Sequence, residues 1–311
     1  METDTAPGGS SSLLNTAFFN DRGLRAGWRL LIYISIVVAL VQLLSFLASR
    51  VRPPSHNTVL GPGIQIIIEA IALLCFLLAA YIMSLIERRS MREYGLPLRR
   101  QHALRRFIVG YIFWGFLPLT ICLAVMHQLH VFEFGGLALH GADIARFGLE
   151  WMIGFALVGL AEEFLLRGYA LYTLSDGLGF WPAAIILAAL FGFGHSFNPG
   201  ETRIGLVGTV VFALFASVAL RLTGNLWLAV GAHAGWDWGQ SFFYGVPDSG
   251  MVAQGHLLAP SFHGPVWLSG GTVGPEGSLV TLVLWSLMIV VFVIIYRRRR
   301  PALIVVAETK T

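Results

Sequence analysis

Eight stretches of this chain are apolar for long enough to cross a bilayer, at roughly 28–48, 64–86, 107–126, 147–171, 181–198, 204–222, 226–244 and 278–296. About 20 residues rising 1.5 Å each span a hydrocarbon core of ~30 Å. The charge content agrees. Charged residues make up 12% of the 311 positions, against about 25% in soluble domains. Apolar residues make up 56%, and mean hydropathy is +0.72. The expected fold is all-α: a polytopic membrane helical bundle of about eight transmembrane helices over residues 28–296, with no internal repeat and no second soluble domain.

Arginine placement sets the expected orientation. The linker "ERRSMREYGLPLRRQHALRRF" after the second run and "YRRRRP" after the eighth are the densest basic segments. The positive-inside rule puts both in the cytoplasm. Arg22, Arg25 and Arg29 agree, while Arg50 and Arg52 disagree mildly. The start, "METDTAPGGSSSLLNTAFFNDRG", lacks the basic and apolar regions of a signal peptide. Residues 1–27 and 297–311 are therefore expected to be cytoplasmic tails of an integral protein of a bacterial inner (plasma) membrane. The pI of about 9.3 reflects juxtamembrane arginines and not a nucleic-acid face. Cys75 and Cys122 lie inside apolar runs and read as small buried residues. The outer segment Gly245 to Gly277 is long and rich in Gly, Pro, Ser and His, so it reads as a lid, a docking surface or a plain connection.

The fourth run contains "GLAEEFLLRGY". A charge at mid-bilayer depth costs roughly 2.5–3.5 kcal/mol, so Glu162, Glu163 and Arg167 need partners. Glu163 and Arg167 are four apart with the acid first, the favourable order for a pair on one helix face. Glu162 points about 100° away, with Val158 and Leu166 one turn to either side, so its partner must come from another helix. An acid so placed suits a general base. In "LFGFGHSFNP", His195 follows Phe191 by one turn, and Gly192 and Gly194 permit close helix approach. In "NLWLAVGAHAGWDWGQ", His233 and Asp237 share a face. Taken singly, a histidine here is as readily an interhelical hydrogen bond; together, these groups point to a reaction centre or an ion path. Trp227, Trp236 and Trp238 read as anchors or packing, and Glu69, Glu150 and Arg221 as residues that snorkel or pair. His127, His130, His140, His256 and His263 lie in or beside loops and are assigned no metal role.

The three polar groups, in order, resemble the signatures of the CAAX-protease and bacteriocin-processing family of intramembrane endopeptidases, also called the Abi family. "EEFLLR" matches EExxxR, "FGFGH" matches FxxxH, and "HAGWD" matches HxxxB, where B is Asn or Asp. The resemblance covers roughly residues 85–245, including "SMREYGLPL". It implies that Glu162 and His195 activate a water to attack the scissile carbonyl, and that His233 and its partner one turn on stabilise the oxyanion. In the enzymes that trim prenylated proteins this partner is asparagine; here it is Asp237. An ionised aspartate cannot donate to an oxyanion, so Asp237 is protonated, or orients His233, or ligates a metal. Glu162, His195, His233 and Asp237 are the set that can hold Zn²⁺ with an open position, although a Glu/His pair needs no metal in principle. Glu163 and Arg167 brace the site or hold a substrate carboxylate. The expected substrate is a membrane protein or lipid-modified peptide within the lipid bilayer. A non-catalytic bacteriocin-immunity or scaffold protein is the alternative, and a transporter is disfavoured by the lack of paired broken helices. HExxH, GxSG and GxGD are all missing, which disfavours other intramembrane proteases. One expectation sits badly with this arrangement: His195 falls late on an outward-running helix, which calls for a tilted or broken fifth span.

Overall fold

The computed structural model describes residues 16–20, 23–51, 61–97 and 100–297. Most of the amino-terminal tail and nearly all of the carboxy-terminal tail, including Arg298 to Arg300, lie outside the described residues, as do Arg22 and Arg52. Each of the eight apolar runs is helical. The helices are α1 (Ala26–Val51), α2 (Pro62–Glu87), α3 (His102–Gln128), α4 (Ala142–Leu178), α5 (Phe180–His195), α6 (Arg203–Thr223), α7 (Trp227–Trp238) and α8 (Leu279–Tyr296). Six are long and apolar enough to cross a membrane; α5 and α7 are shorter. A π-helical segment, Gly239–Tyr244, extends α7, and further π segments interrupt α3 at Gly110–Phe116 and α4 at Leu166–Ala170.

Helix α7 is fixed by backbone contact. A Cβ on Gly231 would sit 2.1 Å from the Phe107 carbonyl oxygen, and one on Gly235 would sit 2.2 Å from that of Tyr111. Gly110 and Gly115 of α3 approach Leu228 and Ala232 just as closely from the other side. Small residues four apart let the two backbones touch, which is how helices associate without a hydrophobic driving force between them. Gly235→Val should therefore lower thermal stability in detergent by the equivalent of about 1–3 kcal/mol or more. A melting temperature equal to wild type would show that the crossing tolerates a gap.

At the arginine-rich end, α1, α2 and α4 are tied by buried charges. Arg29 reaches Glu87 at 2.6 Å and Asp176 at 3.0 Å, and Arg89 reaches Asp176 at 3.0 Å. Tyr169 donates to Glu87, and Tyr172 donates to Glu93 at 2.7 Å. Next to this network the chain turns from α4 into α5 at Gly179, whose φ of 83° is one that glycine adopts without strain. Glu162 and His195 are nearly equidistant in sequence from that turn. The two antiparallel helices therefore bring them to one level, and α5 runs unbroken to His195. The expected tilted or broken fifth span is not needed, because α5 is short and α4 is long.

At the opposite end, the segment after Tyr244 is folded. Phe132–Glu133 pairs antiparallel with Ser261–Phe262, and Leu137 bridges Leu258. Val246 and Val273 are fully buried. Gly250, at φ 80°, packs where a Cβ would lie 2.4 Å from the Pro199 carbonyl oxygen, so the loop rests directly on the α5–α6 connection.

Candidate active site

Between these ends lies a cavity of about 380 Å³, with walls from α2, α4, α5, α6, α7, α8 and the Gly245–Gly277 segment. Glu162, Phe191, His195, His233 and Asp237 all line it. Three separate sequence motifs thus meet in one space.

His233 sits between the two consecutive glutamates. Its Nδ1 is 3.1 Å from Glu163 Oε1, and its Nε2 is 3.6 Å from Glu162 Oε2 and 3.5 Å from Asp237 Oδ2. Glu163 Oε1 also accepts from Arg167 Nη1 at 3.3 Å, as expected for a pair one turn apart. Glu163 and Arg167 are 0% and 3% exposed, so their charges depend on each other and on His233. Glu162, whose side chain is 34% exposed, faces the cavity, and the partner required from another helix is His233. Arg167 lies 5.3 Å over the Phe191 ring, a cation–π contact that accounts for an aromatic one turn before His195. The Phe191 and His195 rings meet edge to face at 4.4 Å.

The His195 tautomer follows from one contact. Its Nδ1 is 2.9 Å from the Phe191 carbonyl oxygen, which can only accept, so Nδ1 carries the proton. Neutral His195 then presents Nε2 as an acceptor, the arrangement a water-activating imidazole requires.

Three further carboxylates line the cavity. Glu69 of α2 was expected to snorkel or pair; it faces the cavity and accepts from Gln65 at 3.0 Å. That i, i+4 amide–acid pair is a signal visible in the sequence. Asp248 and Glu276 come from the loop, where no spacing marks them. Ser241 donates to Asp248 at 3.0 Å; Trp236 Nε1 donates to Glu276 at 3.1 Å, and Ser249 donates to it through both N–H and Oγ. The loop is thus a wall of the site, and buried Trp236 is a donor within it, not an interfacial anchor. Burial, then the carboxylates of Asp237 and Glu276, push the Asp248 carboxyl well above the usual carboxylate range. A raised acid pKa means the folded chain binds the extra proton, so stability falls as pH rises past the unfolded value. The melting temperature of Asp248→Asn minus that of wild type should therefore grow from pH 5 to pH 8; a constant difference would show that Asp248 does not titrate there.

The other polar residues pair as expected. Glu150 meets Arg146 at 3.2 Å, and Arg221 lies 5.2 Å over Phe180. Trp227 and Trp238 donate to the Pro97 and Gly148 carbonyls.

The donor geometry does not converge on zinc. Among the described residues, the three ligand atoms that lie within 4.8 Å of one another belong to Asp237, Asp248 and Glu276. That set is all oxygen, whereas zinc sites are built from nitrogen or sulfur with few carboxylates. Glu162, His195 and His233 are outside it, so no step below is routed through a metal.

Residues 144–239 match the family model described as type II CAAX prenyl endopeptidase Rce1-like, consistent with the resemblance carried by the three motifs. The match contains every motif residue and stops short of Glu69, Asp248 and Glu276. No curated protein and no solved structure matches the chain.

Proposed function

We propose that this integral membrane chain, with its Rce1-like endopeptidase domain, hydrolyses a peptide bond of a membrane-associated protein or lipid-modified peptide inside the bilayer. The observation that carries this reading is the convergence of Glu162, His195, His233 and Asp237 on one cavity. Glu162 takes a proton from a water held against His195 Nε2, and the water oxygen adds to the scissile carbonyl carbon. His233, as an imidazolium whose Nδ1–H donates to Glu163 and which Asp237 flanks, turns its Nε2–H toward the developing oxyanion. As the C–N bond breaks, the proton held on Glu162 passes to the leaving amine. Asp237 orients the imidazole in place of the donor role an asparagine would fill, and Arg167 braces Glu163. The arginine-rich end, with both termini, faces the cytoplasm of a bacterial inner membrane, and the loop wall faces outward.

The test is cleavage of a quenched peptide library by the detergent-purified protein. His195→Ala should lower the rate by about 10²–10⁴-fold while the protein stays folded. Equal rates for wild type and variant would remove the imidazole from the reaction. A folded wild type with no cleavage would favour an immunity or scaffold protein in which the cluster only holds helices together. A parallel arm with a chelator decides whether a divalent cation is also required.

A further inference from the structure

The tetrahedral intermediate of peptide hydrolysis carries an oxyanion, and one missing donor costs about 10²–10³-fold in kcat. With Nδ1–H given to Glu163, the His233 imidazolium offers one N–H, at Nε2, and Asp237, when it orients that ring as a carboxylate, offers none. The other side-chain donors on the cavity wall are mostly committed to protein acceptors. The indoles of Trp151 and Trp236 donate to the Gln254 carbonyl and to Glu276. Thr209 and Thr281 donate to the Gly205 and Pro275 carbonyls, and Ser241 donates to Asp248. Gln65 turns its amide to Glu69. Among the described residues that line the cavity, the side chains of Asn198 and Trp285 keep donors without such an acceptor.

We propose that Asn198 is a catalytic residue whose side-chain amide donates to the oxyanion, replacing the donor that position 237 lacks; this rests on the protease reading above. Asn198 is one turn beyond His195, and its backbone is fixed from both sides. Its N–H donates to the His195 carbonyl at 2.9 Å, and its carbonyl accepts from Glu201 N–H at 3.2 Å. Asn198 therefore lines the cavity within one turn of the imidazole that holds the attacking water. The Trp285 indole instead packs among aromatic rings, with Trp236 and Phe212 each 4.8 Å away.

The experiment is steady-state kinetics of Asn198→Ala, the isosteric Asn198→Asp and Trp285→Phe on a peptide that wild type cleaves. Both Asn198 variants should lose about 10²–10³-fold in kcat, with KM within about threefold and unchanged melting temperatures. Trp285→Phe should keep a kcat close to wild type. A near-wild-type kcat for Asn198→Ala overturns the proposal, as does a loss confined to KM. A loss in Trp285→Phe with Asn198→Ala still active also overturns it, by assigning the donor to the indole. Absence of cleavage by wild type itself is a separate result, which overturns the protease reading and this one with it.

Discussion

Glu162→Gln is expected to lower kcat by about 10³-fold or more while leaving the protein folded and its affinity for substrate nearly intact. The substitution keeps shape and hydrogen-bonding capacity and removes only the ability to take a proton. Structural loss should be small, because Glu162 faces the cavity and its contact with His233, at 3.6 Å, is looser than that of Glu163. An immunity or scaffold protein has no reason to respond to this change, so the variant separates the readings sharply. Activity within tenfold of wild type would mean that Glu162 is not the base.

The second large effect is on stability. Arg167→Ala removes the cation beside a fully buried glutamate, and breaking such a pair from one side costs about 3–5 kcal/mol. The Glu163 charge then falls on His233 alone, and the imidazole loses the alignment that aims Nε2 at the cavity. The double change Glu163→Gln with Arg167→Met should recover most of the melting temperature, since no charge is orphaned and Gln can still accept from His233 Nδ1. Thermal unfolding in detergent measures both. A single variant as stable as wild type would show that water compensates Glu163, and a double variant no better than the single would shift the explanation to packing.

Much of this arrangement was legible before the structure, for identifiable reasons. Hydrophobic length marked all eight helices, because a membrane span needs little but apolar residues in sufficient number. The four-residue spacings of Glu163–Arg167 and His233–Asp237 are local helix geometry, and both pairs are in contact. That Glu162 needed a partner from elsewhere also followed, since its own helix offers only Val158 and Leu166 one turn away. The other acids of the cavity were hidden for different reasons. Glu69 carried a local hint in Gln65, but nothing in its own helix says that this face meets α4 across a cavity. Asp248 and Glu276 reach the site through pairing between loops distant in sequence, held by turns without hydrophobic periodicity. The expected misfit of His195 arose from treating each span as equally long.

The π segment Leu166–Ala170 carries a consequence for how α4 can change. Its hydrogen bonds accommodate one residue more than an α-turn would, and Gly168 leaves helical geometry there, with ψ −114°. The half before it aims Glu162 and Glu163 at His233, and the half after it aims Asp176 at Arg29 and Arg89. An uninterrupted helix advances 100° per residue and would lock those two aims together. The wide turn acts as a vernier between two rods, letting each half find its own neighbours. A single residue deleted there would leave both halves helical and rotate one away from its target.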